Sequence, residues 1–500
     1  MEKQVEKQKF YVTTAIDYVN ASPHLGHAYE KIYADAIARW KKLNGFDVFF
    51  LTGTDENAIK IARAAKEAGA KSIADIQAFV DANAEKFKKL CEILDVKYSY
   101  FIRTTEERHR KAAQKFFELL YKNGYIYKAK YKGLYCVSCE AFYKESEVAD
   151  GLCPVHKKKL EVVEEENYFF KLSEFKDKII AAIENGLIKP EKYAREILAR
   201  LKQETLKDLS VTRQNLEWGI KVPFDESQTI YVWIDALSNY ITALDWPDGN
   251  AFRHYWPADL HLIGKDINWF HSVIWPALLM AAGIELPKCV FVHGFINIGG
   301  EKLSKTRGIL VDPFELVNKY GSDAIRYYLL KASSYGDDFD YSEEEIKEGL
   351  NSELADKYGN LVARVIGLAK KINSILKKVE IDEKLEQFFK EKIEAIKKDF
   401  DEYKFNFGIK KIFELIDFCN KYIQDNELWK QEGENLNSYL YFLAEAIRQI
   451  TILLWPILPS ATEKIARLYG FEIKSIEQLE FGLKDNYLFK EKEIIFRKVE

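Results

Sequence analysis

No stretch of about 18 uncharged apolar residues occurs in this 500-residue chain, so no membrane-spanning helix is expected. The start, Met1 to Lys9, is mostly charged and lacks the apolar core of a secretory signal, which leaves a cytoplasmic location as the default. Cysteine is scarce: six residues cannot staple a chain this long in the way disulfides staple small secreted domains. Neither sign of charge is in excess. The 74 Lys and Arg set against 78 Asp and Glu leave a net charge of −4, so no overall basic field draws nucleic acid, and an RNA partner would depend on local basic patches. Internal repeats and low-complexity tracts are absent, and prolines number only 11. What is there is an ordinary globular composition, 47% hydrophobic and 30% charged. The chain is too long for one core, so roughly three or four structural units are expected.

Phe10 to Ile16 is β-branched and aromatic, the pattern of a buried strand. Past a polar turn, Tyr29, Ile32, Tyr33, Ala36, Ile37 and Trp40 fall on one helix face, and Asn44-Gly45 supplies the stop. Asp47 to Thr52 is another compact apolar run. Strand, helix, strand within about 45 residues reads as a βαβ unit of a parallel sheet. Further strands are expected at Thr229 to Ile234, His261 to Gly264 and Cys289 to Phe295. The intervening sequence, from about Leu120 to Val222, holds charged helices, glycine-rich turns and a Cys/His cluster. One α/β domain split by an insertion accounts for this order. From about Tyr341 the pattern is helical, and Glu493 to Val499 is expected as a short strand or an extended tail docked on the helices.

Two loops carry candidate chemistry. In Pro23-His24-Leu25-Gly26-His27, two imidazoles flank a glycine at a helix start, where free N–H groups and a partial positive charge favour anions. Gly26 would let backbone approach a ligand, and the imidazoles would stabilise charge developing on a phosphate. The plainer alternative is a pair of capping histidines. In Gly300-Glu301-Lys302-Leu303-Ser304-Lys305-Thr306-Arg307-Gly308, three cations and two hydroxyls on a glycine-bracketed loop suit a triphosphate clamp; the alternative is a solvated surface turn. A third motif is Cys136-x2-Cys139-x13-Cys153-x2-His156, two short chelating pairs with soft ligands in the pattern of a closed structural zinc site. One Zn2+ is expected, and Cys91, Cys289 and Cys419 have no partners at ligand spacing, so they are expected as buried thiols.

Together, His24-Leu25-Gly26-His27 and Lys302-Leu303-Ser304-Lys305-Thr306 resemble the paired ATP signatures of the class I aminoacyl-tRNA synthetases. Tyr231 to Tyr240 and Ile263 to Pro276 resemble the amino-acid pocket of the methionyl branch, the first of them its pocket strand. That resemblance implies a Rossmann-like parallel-sheet catalytic domain, split by a zinc-binding connective insertion and followed by an α-helical anticodon-binding bundle. The units expected are 1–119 and 223–296 for the two catalytic halves and 120–222 for the insertion. The lysine loop with the stem-contact region would occupy 297–345, and the helical domain 346–500. His24, His27, Lys302 and Lys305 are implied as catalytic, with Gly26, Gly264, Lys265, Asp266 and Ser304 also contacting ATP, which would bring Mg2+ with it. For Lys265 and Asp266 the alternative is an exposed ion pair. Ile16, Tyr18, Trp233, Ala236, Tyr240, Ile267, His271 and Trp275 would surround the methionine side chain, and Asp55 would hold its ammonium. An unbranched, polarizable thioether suits aromatic walls with one or two polar tips, although each aromatic taken singly reads equally as core. Asn360 and Arg364, four apart on one helix face, and Trp429 would read the anticodon; a solvated helix face and a core tryptophan are the alternative. Arg213 is implied either as an organiser of the site or as one end of a salt bridge. The sequence departs from the family pattern at Asp17, Asn57, Ala58, Thr306 and Leu428. Asp17 in particular puts an extra carboxylate near the pocket, to alter the ammonium environment or to pair with a cation.

The implied reaction is attack of the methionine carboxylate on the α-phosphorus of ATP, then attack of the terminal ribose hydroxyl of tRNA(Met) on the adenylate carbonyl. Positioning and charge stabilisation suffice for both steps, with no side-chain nucleophile. A synthetase for an aliphatic amino acid would carry a longer editing insertion, and one for cysteine would place zinc at the substrate. A small nucleotidyltransferase would lack the zinc insertion and helical third, and a zinc-knuckle RNA-binding protein would leave both ATP loops unexplained. With no family C-terminal appendage recognised, a monomer is expected.

Overall fold

Strands buried on both faces open and close the catalytic sheet. The computed structural model describes residues 7–137, 141–143, 148, 150–155, 157–214, 216–299, 301–302, 311–489 and 493–500, the side chains of 131–132, 141–142, 163–165 and 301–302 excepted. Strands β1 (Lys9–Thr14), β2 (Asp17–Tyr18), β3 (Asp47–Asp55) and β4 (Tyr100–Arg103) form its first half. The next four are β5 (Ile126–Cys136), β6 (Ala141–Tyr143), β7 (Glu161–Phe170) and β8 (Ile188–Lys189). They are followed by β9 (Leu209–Ser210), β10 (Thr212–Gln214), β11 (Lys221–Val222) and β12 (Asp225–Ile230). The sheet is completed by β13 (Leu260–Gly264) and β14 (Val290–His293). Its seven strands run in the order β2-β3-β1-β13-β14-β8, with β4 on β3, and every pairing is parallel. Alternate residues feed opposite faces, as a pleat requires. Phe10, Val12, Leu260, Leu262 and Phe291 enter one buried cluster; Tyr11, Ile263, Val290 and Val292 enter the other.

The chain leaves β1 into helix α1 (Leu25–Leu43) and returns in β3, while β13 pairs with the other side of β1. Strand order therefore reverses at β1/β13, and the carboxyl ends of these strands form the crevice where parallel sheets bind ligands. The separate sheet β6-β5-β7-β9 holds the Cys136 region. β8 comes from within the segment expected as an insertion, yet it is the edge strand of the catalytic sheet beside β14.

One expected strand is corrected. Thr229 to Ile234 does not continue as a strand in the parallel sheet: β12 ends at Ile230 in a small antiparallel sheet with β10 and β11, and Val232–Thr242 is a helix capped by Tyr231. All eleven residues of that helix are buried. A helix buried all round shows no 3.6-residue periodicity, so its short apolar run imitates a strand. The supposed pocket strand Tyr231 to Tyr240 is therefore almost wholly this helix. The C-terminal residues are an extended tail, as expected: the Asn351 side chain bonds the backbone of Val499 in both directions, at 2.8 and 3.0 Å, while the late strand lies earlier, at Asn486–Leu488.

The cluster beneath α1 does not stop at the catalytic sheet but continues through the helices to Phe489. At this junction Arg326, fully buried, donates to Asp35 Oδ2 of α1 at 2.7 Å and to the carbonyls of Leu94, Pro456 and Ile457 at 3.1, 2.8 and 3.0 Å. Burial opposes the charge on Asp35, but Arg326 and Arg39 outweigh it and hold the carboxyl below its ordinary range. Arg326→Met would leave three carbonyls unpartnered and Asp35 half compensated. The expected cost is about 3–5 kcal/mol, read by denaturant unfolding; a loss within experimental error would show that the junction does not depend on this group.

Candidate active site

The loop after β1 enters α1 through His24, whose extended backbone (φ −129°, ψ 175°) makes it the cap. His24 Nδ1 accepts the Gly26 N–H at 3.1 Å, and His27 Nδ1 accepts the His24 N–H at 3.0 Å. The two rings stack at 3.8 Å. With both Nδ1 atoms accepting, a neutral ring carries its proton on Nε2. The capping pair, the plainer of the two expected readings, is thus present. The need for Gly26 has a different cause from close ligand approach: a Cβ there would lie 2.9 Å from His24 Cε1, so glycine makes room for the capping ring.

His24, Gly26 and His27 face a cleft of about 980 Å³, and so do Gly264 and Asp266 at the end of β13. Ile16, Tyr18, Trp233 and Ile267 line the same cleft, which brings four of the expected methionine residues beside the imidazoles. Trp233 is stacked on Phe270 with centroids 3.7 Å apart.

The remaining expected methionine residues are not on its wall. Ala236, Tyr240, His271 and Trp275 are buried behind it, and Asp55 is buried opposite Tyr18 in the β2–β3 register. Tyr240, His271 and Trp275 nevertheless share one polar floor. Tyr240 Oη lies 2.7 Å from His271 Nε2, the other ring nitrogen of His271 lies 3.0 Å from the Ile267 carbonyl, and Trp275 Nε1 donates to His261 Nε2 at 3.3 Å. His261 Nδ1 meets Thr13 Oγ1 at 2.7 Å. Burial holds His261 well below the usual imidazole range and brings His271 to about 4, so both are neutral near pH 7.

Lys265 is not on the cleft wall either. Its Nζ bonds Asp338 Oδ2 at 2.6 Å and lies over the Phe295 ring, the exposed-pair arrangement. Lys302 is described only as backbone in a two-residue strand, Glu301–Lys302. Ser304 and Lys305 lie outside the described residues, as do Cys139 and His156 of the metal motif. Among the described residues no group of three metal donors is found. Cys91 and Cys419 are buried, whereas Cys289 is only partly so. Arg213 lines the cleft and stacks over Tyr231 at 4.4 Å while donating to the Thr212 carbonyl at 2.7 Å. Asn360 is exposed and Arg364 partly exposed on the Asn360–Ala369 helix, and Trp429 is 43% exposed next to the buried Leu428.

Several partners and contacts were missed from sequence. Asn57 Nδ2 donates to Asp235 Oδ2 at 2.7 Å, and His109 Nε2 lies 2.5 Å from Asp235 Oδ1, a buried link from the β3 loop to the Val232–Thr242 helix. Arg200 lies over Trp269 at 4.0 Å on the cleft rim. Asp17 pairs with Lys31 at 2.7 Å; the signal available was a lysine flanked by the apolar positions of α1.

The neutral floor sets a pH dependence. A folded-state imidazole pKa below the unfolded 6.5 means the unfolded chain takes up protons first as pH falls. Stability should therefore be intact above about 6.5 and decline by of order 1 kcal/mol per pH unit towards about 4 for His271. His271→Gln should flatten part of that decline in pH-dependent thermal unfolding; an unchanged slope would show that His271 contributes none of it.

The chain matches the family model for class I tRNA synthetases (M) over residues 10–161 and 150–366, and the anticodon-binding domain of tRNA ligases over 382–499. It is 44% identical to the methionine–tRNA ligase of Thermotoga maritima, across 94% of this chain and 77% of that one. Against the Caldanaerobacter subterraneus subsp. tengcongensis ligase the identity is 43%, across 99% and 79%. The Mycobacterium tuberculosis methionyl-tRNA synthetase in complex with methionyl-adenylate superposes with a TM-score of 0.93 at 36% identity, covering 98% of this chain and 99% of that one. On these matches the chain belongs to the methionyl-tRNA synthetases of class I.

Proposed function

We propose that the cleft joins L-methionine to ATP and then passes the methionyl group to tRNA(Met), releasing pyrophosphate and AMP. The supporting observation is that two imidazoles at the N-terminus of α1 face the same cleft as Ile16, Tyr18, Trp233 and Ile267. Methionine would lie against that wall, its carboxylate directed at the α-phosphorus. His24 and His27 would donate through Nε2 to charge developing on the phosphate, aided by the partial charge of the α1 terminus, whose first turn holds no acidic residue. Lys302 and Lys305 would close over the β- and γ-phosphates, where the Mg2+ brought by ATP would offset phosphate charge, and Ser304, Gly26, Gly264 and Asp266 would complete the ATP site. Lys265 would have to leave Asp338 to join them. Asp55 would take the ammonium once Tyr18 shifts, and Tyr240, Ala236, His271 and Trp275 would support the thioether from behind the wall.

Methionine-dependent ATP–pyrophosphate exchange, with isoleucine, valine, leucine and cysteine as controls, tests the reading; exchange supported equally by another amino acid would defeat it. In the same assay Lys305→Ala should lower the exchange rate by about a hundredfold while methionine binding is nearly kept. An intact rate would remove Lys305 from the mechanism.

For the metal motif, Cys136 and Cys153 suit zinc: both are buried in one small cluster with Leu160, and Cys153 accepts the Lys157 N–H at 2.9 Å in a tight turn. With Cys139 and His156 they would hold one structural Zn2+, cross-linking the β5–β7 sheet beside the part of the cleft wall that Tyr143 and Val155 line. Metal analysis should find one zinc per chain, and Cys136→Ser should lose it; a metal-free preparation of full activity and stability would rule the site out. Asn360, Arg364 and Trp429 are read as the anticodon contacts, 120–222 as the connective insertion and 297–345 as the lysine-loop and stem region. No described helix is long and apolar enough to cross a membrane; the chain is read as a cytoplasmic monomer.

A further inference from the structure

Lys31 is 1% exposed on α1, yet it carries an ammonium. Its Nζ lies 2.7 Å from Asp17 Oδ2 and 3.6 Å from Glu30 Oε1, and donates to the Ala15 carbonyl at 3.2 Å. Asp17 and Glu30 both face the cleft. Asp17 Oδ1 is 3.7 Å from His27 Nε2, and Glu30 Oε2 is 3.1 Å from His293 Nε2. Other titratable groups acting on this cluster are Cys91, on Lys31 and Asp17, and Tyr29, Tyr240 and His271, on Glu30. Burial opposes the charge on Lys31, but Asp17 and Glu30 outweigh it and hold the ammonium above the ordinary lysine range.

The cluster matters because of what must come next to it. A triphosphate drawn to His27 meets Asp17 first, and an uncompensated carboxylate there would repel it through a poorly solvated wall. We infer that Lys31 is a positioning residue for adenylate formation. It neutralises Asp17 beside His27 and ties the Ala15–Tyr18 segment, which supplies Ile16 and Tyr18 to the amino-acid side of the cleft, to the helix that presents His24 and His27 to the nucleotide. Asp17 and Lys31 then form a coupled pair, each tolerable only with the other. This rests on the assignment of His24 and His27 to ATP.

The test compares Lys31→Met, Asp17→Asn and the double variant by pyrophosphate exchange, with separate titrations of methionine and ATP. Lys31→Met should lose about tenfold or more in kcat/KM for ATP. The double variant should recover most of the loss. A merely structural lysine would not be rescued by Asp17→Asn. Wild-type kinetics in Lys31→Met, a loss confined to methionine, or a double variant as poor as the product of the single ones would each overturn the inference. If Lys31→Met does not fold, a folded and active double variant supports the coupling, and failure of both overturns it. Wild-type exchange is the control: its absence would defeat the proposed function instead.

Discussion

The first turn of α1 is closed by the side chains that face the cleft. A helix start leaves backbone N–H groups without partners, and serine, threonine or aspartate usually accepts them. Here the imidazoles of His24 and His27 do so through Nδ1. One act of local folding then settles three features of the site. It fixes the ring orientation, it leaves the Nε2 proton as the donor of each neutral ring, and it keeps acidic caps away from a helix terminus whose free N–H groups favour anions. Glycine between the rings follows from the same packing, since any larger residue would displace the His24 ring.

From that terminus α1 runs as the common wall of two parts of the molecule. Lys31 ties it to the β1–β2 segment, Asp35 to Arg326, and Trp40 Nε1 donates to Asp401 Oδ1 of the Glu383–Asp401 helix at 3.0 Å. One hydrophobic cluster extends from Phe10 of the sheet to Phe489 of the helical domain. Polar anchors inside such a core confer register more than stability, because each group loses hydration that its partners only partly restore. A displacement of the helical domain would therefore have to disturb the helix that presents both imidazoles.

Much of this was legible in the sequence wherever periodicity or motif chemistry was strong. Phe10 to Ile16, the Tyr29-to-Trp40 face and the Asn44-Gly45 stop place β1, α1 and the start of β3 within two or three residues. The Val232–Thr242 helix was hidden because complete burial erases amphipathic contrast. Which aromatics form the wall and which the floor was likewise hidden, since Trp233 and Trp275 are equally apolar in sequence and differ only in depth. Ion pairs between distant elements, such as Asp17 with Lys31 or Lys265 with Asp338, leave no local pattern. The odd charge at Asp17 could be noticed, and its partner could not be named.

The depth of the aromatics bears on how a thioether is told from its competitors. The cleft wall offers Ile16, Trp233 and Phe270, apolar and polarizable, while the hydrogen bonds of Tyr240, His271 and Trp275 are directed into a floor that is buried and neutral. A neutral floor suits a neutral substrate tail. A charged imidazole there would favour carboxylate side chains over a thioether, and an unpartnered one would admit water in its place. Because Tyr240 and His271 already satisfy each other, a branched aliphatic side chain would gain only apolar contact. An unbranched sulfur tail asks for no hydrogen bond there, since the one Tyr240 O–H proton goes to His271 Nε2 and the His271 Nδ1 proton to the Ile267 carbonyl. Selectivity would then arise as much from the exclusion of shape and charge as from any single contact to sulfur.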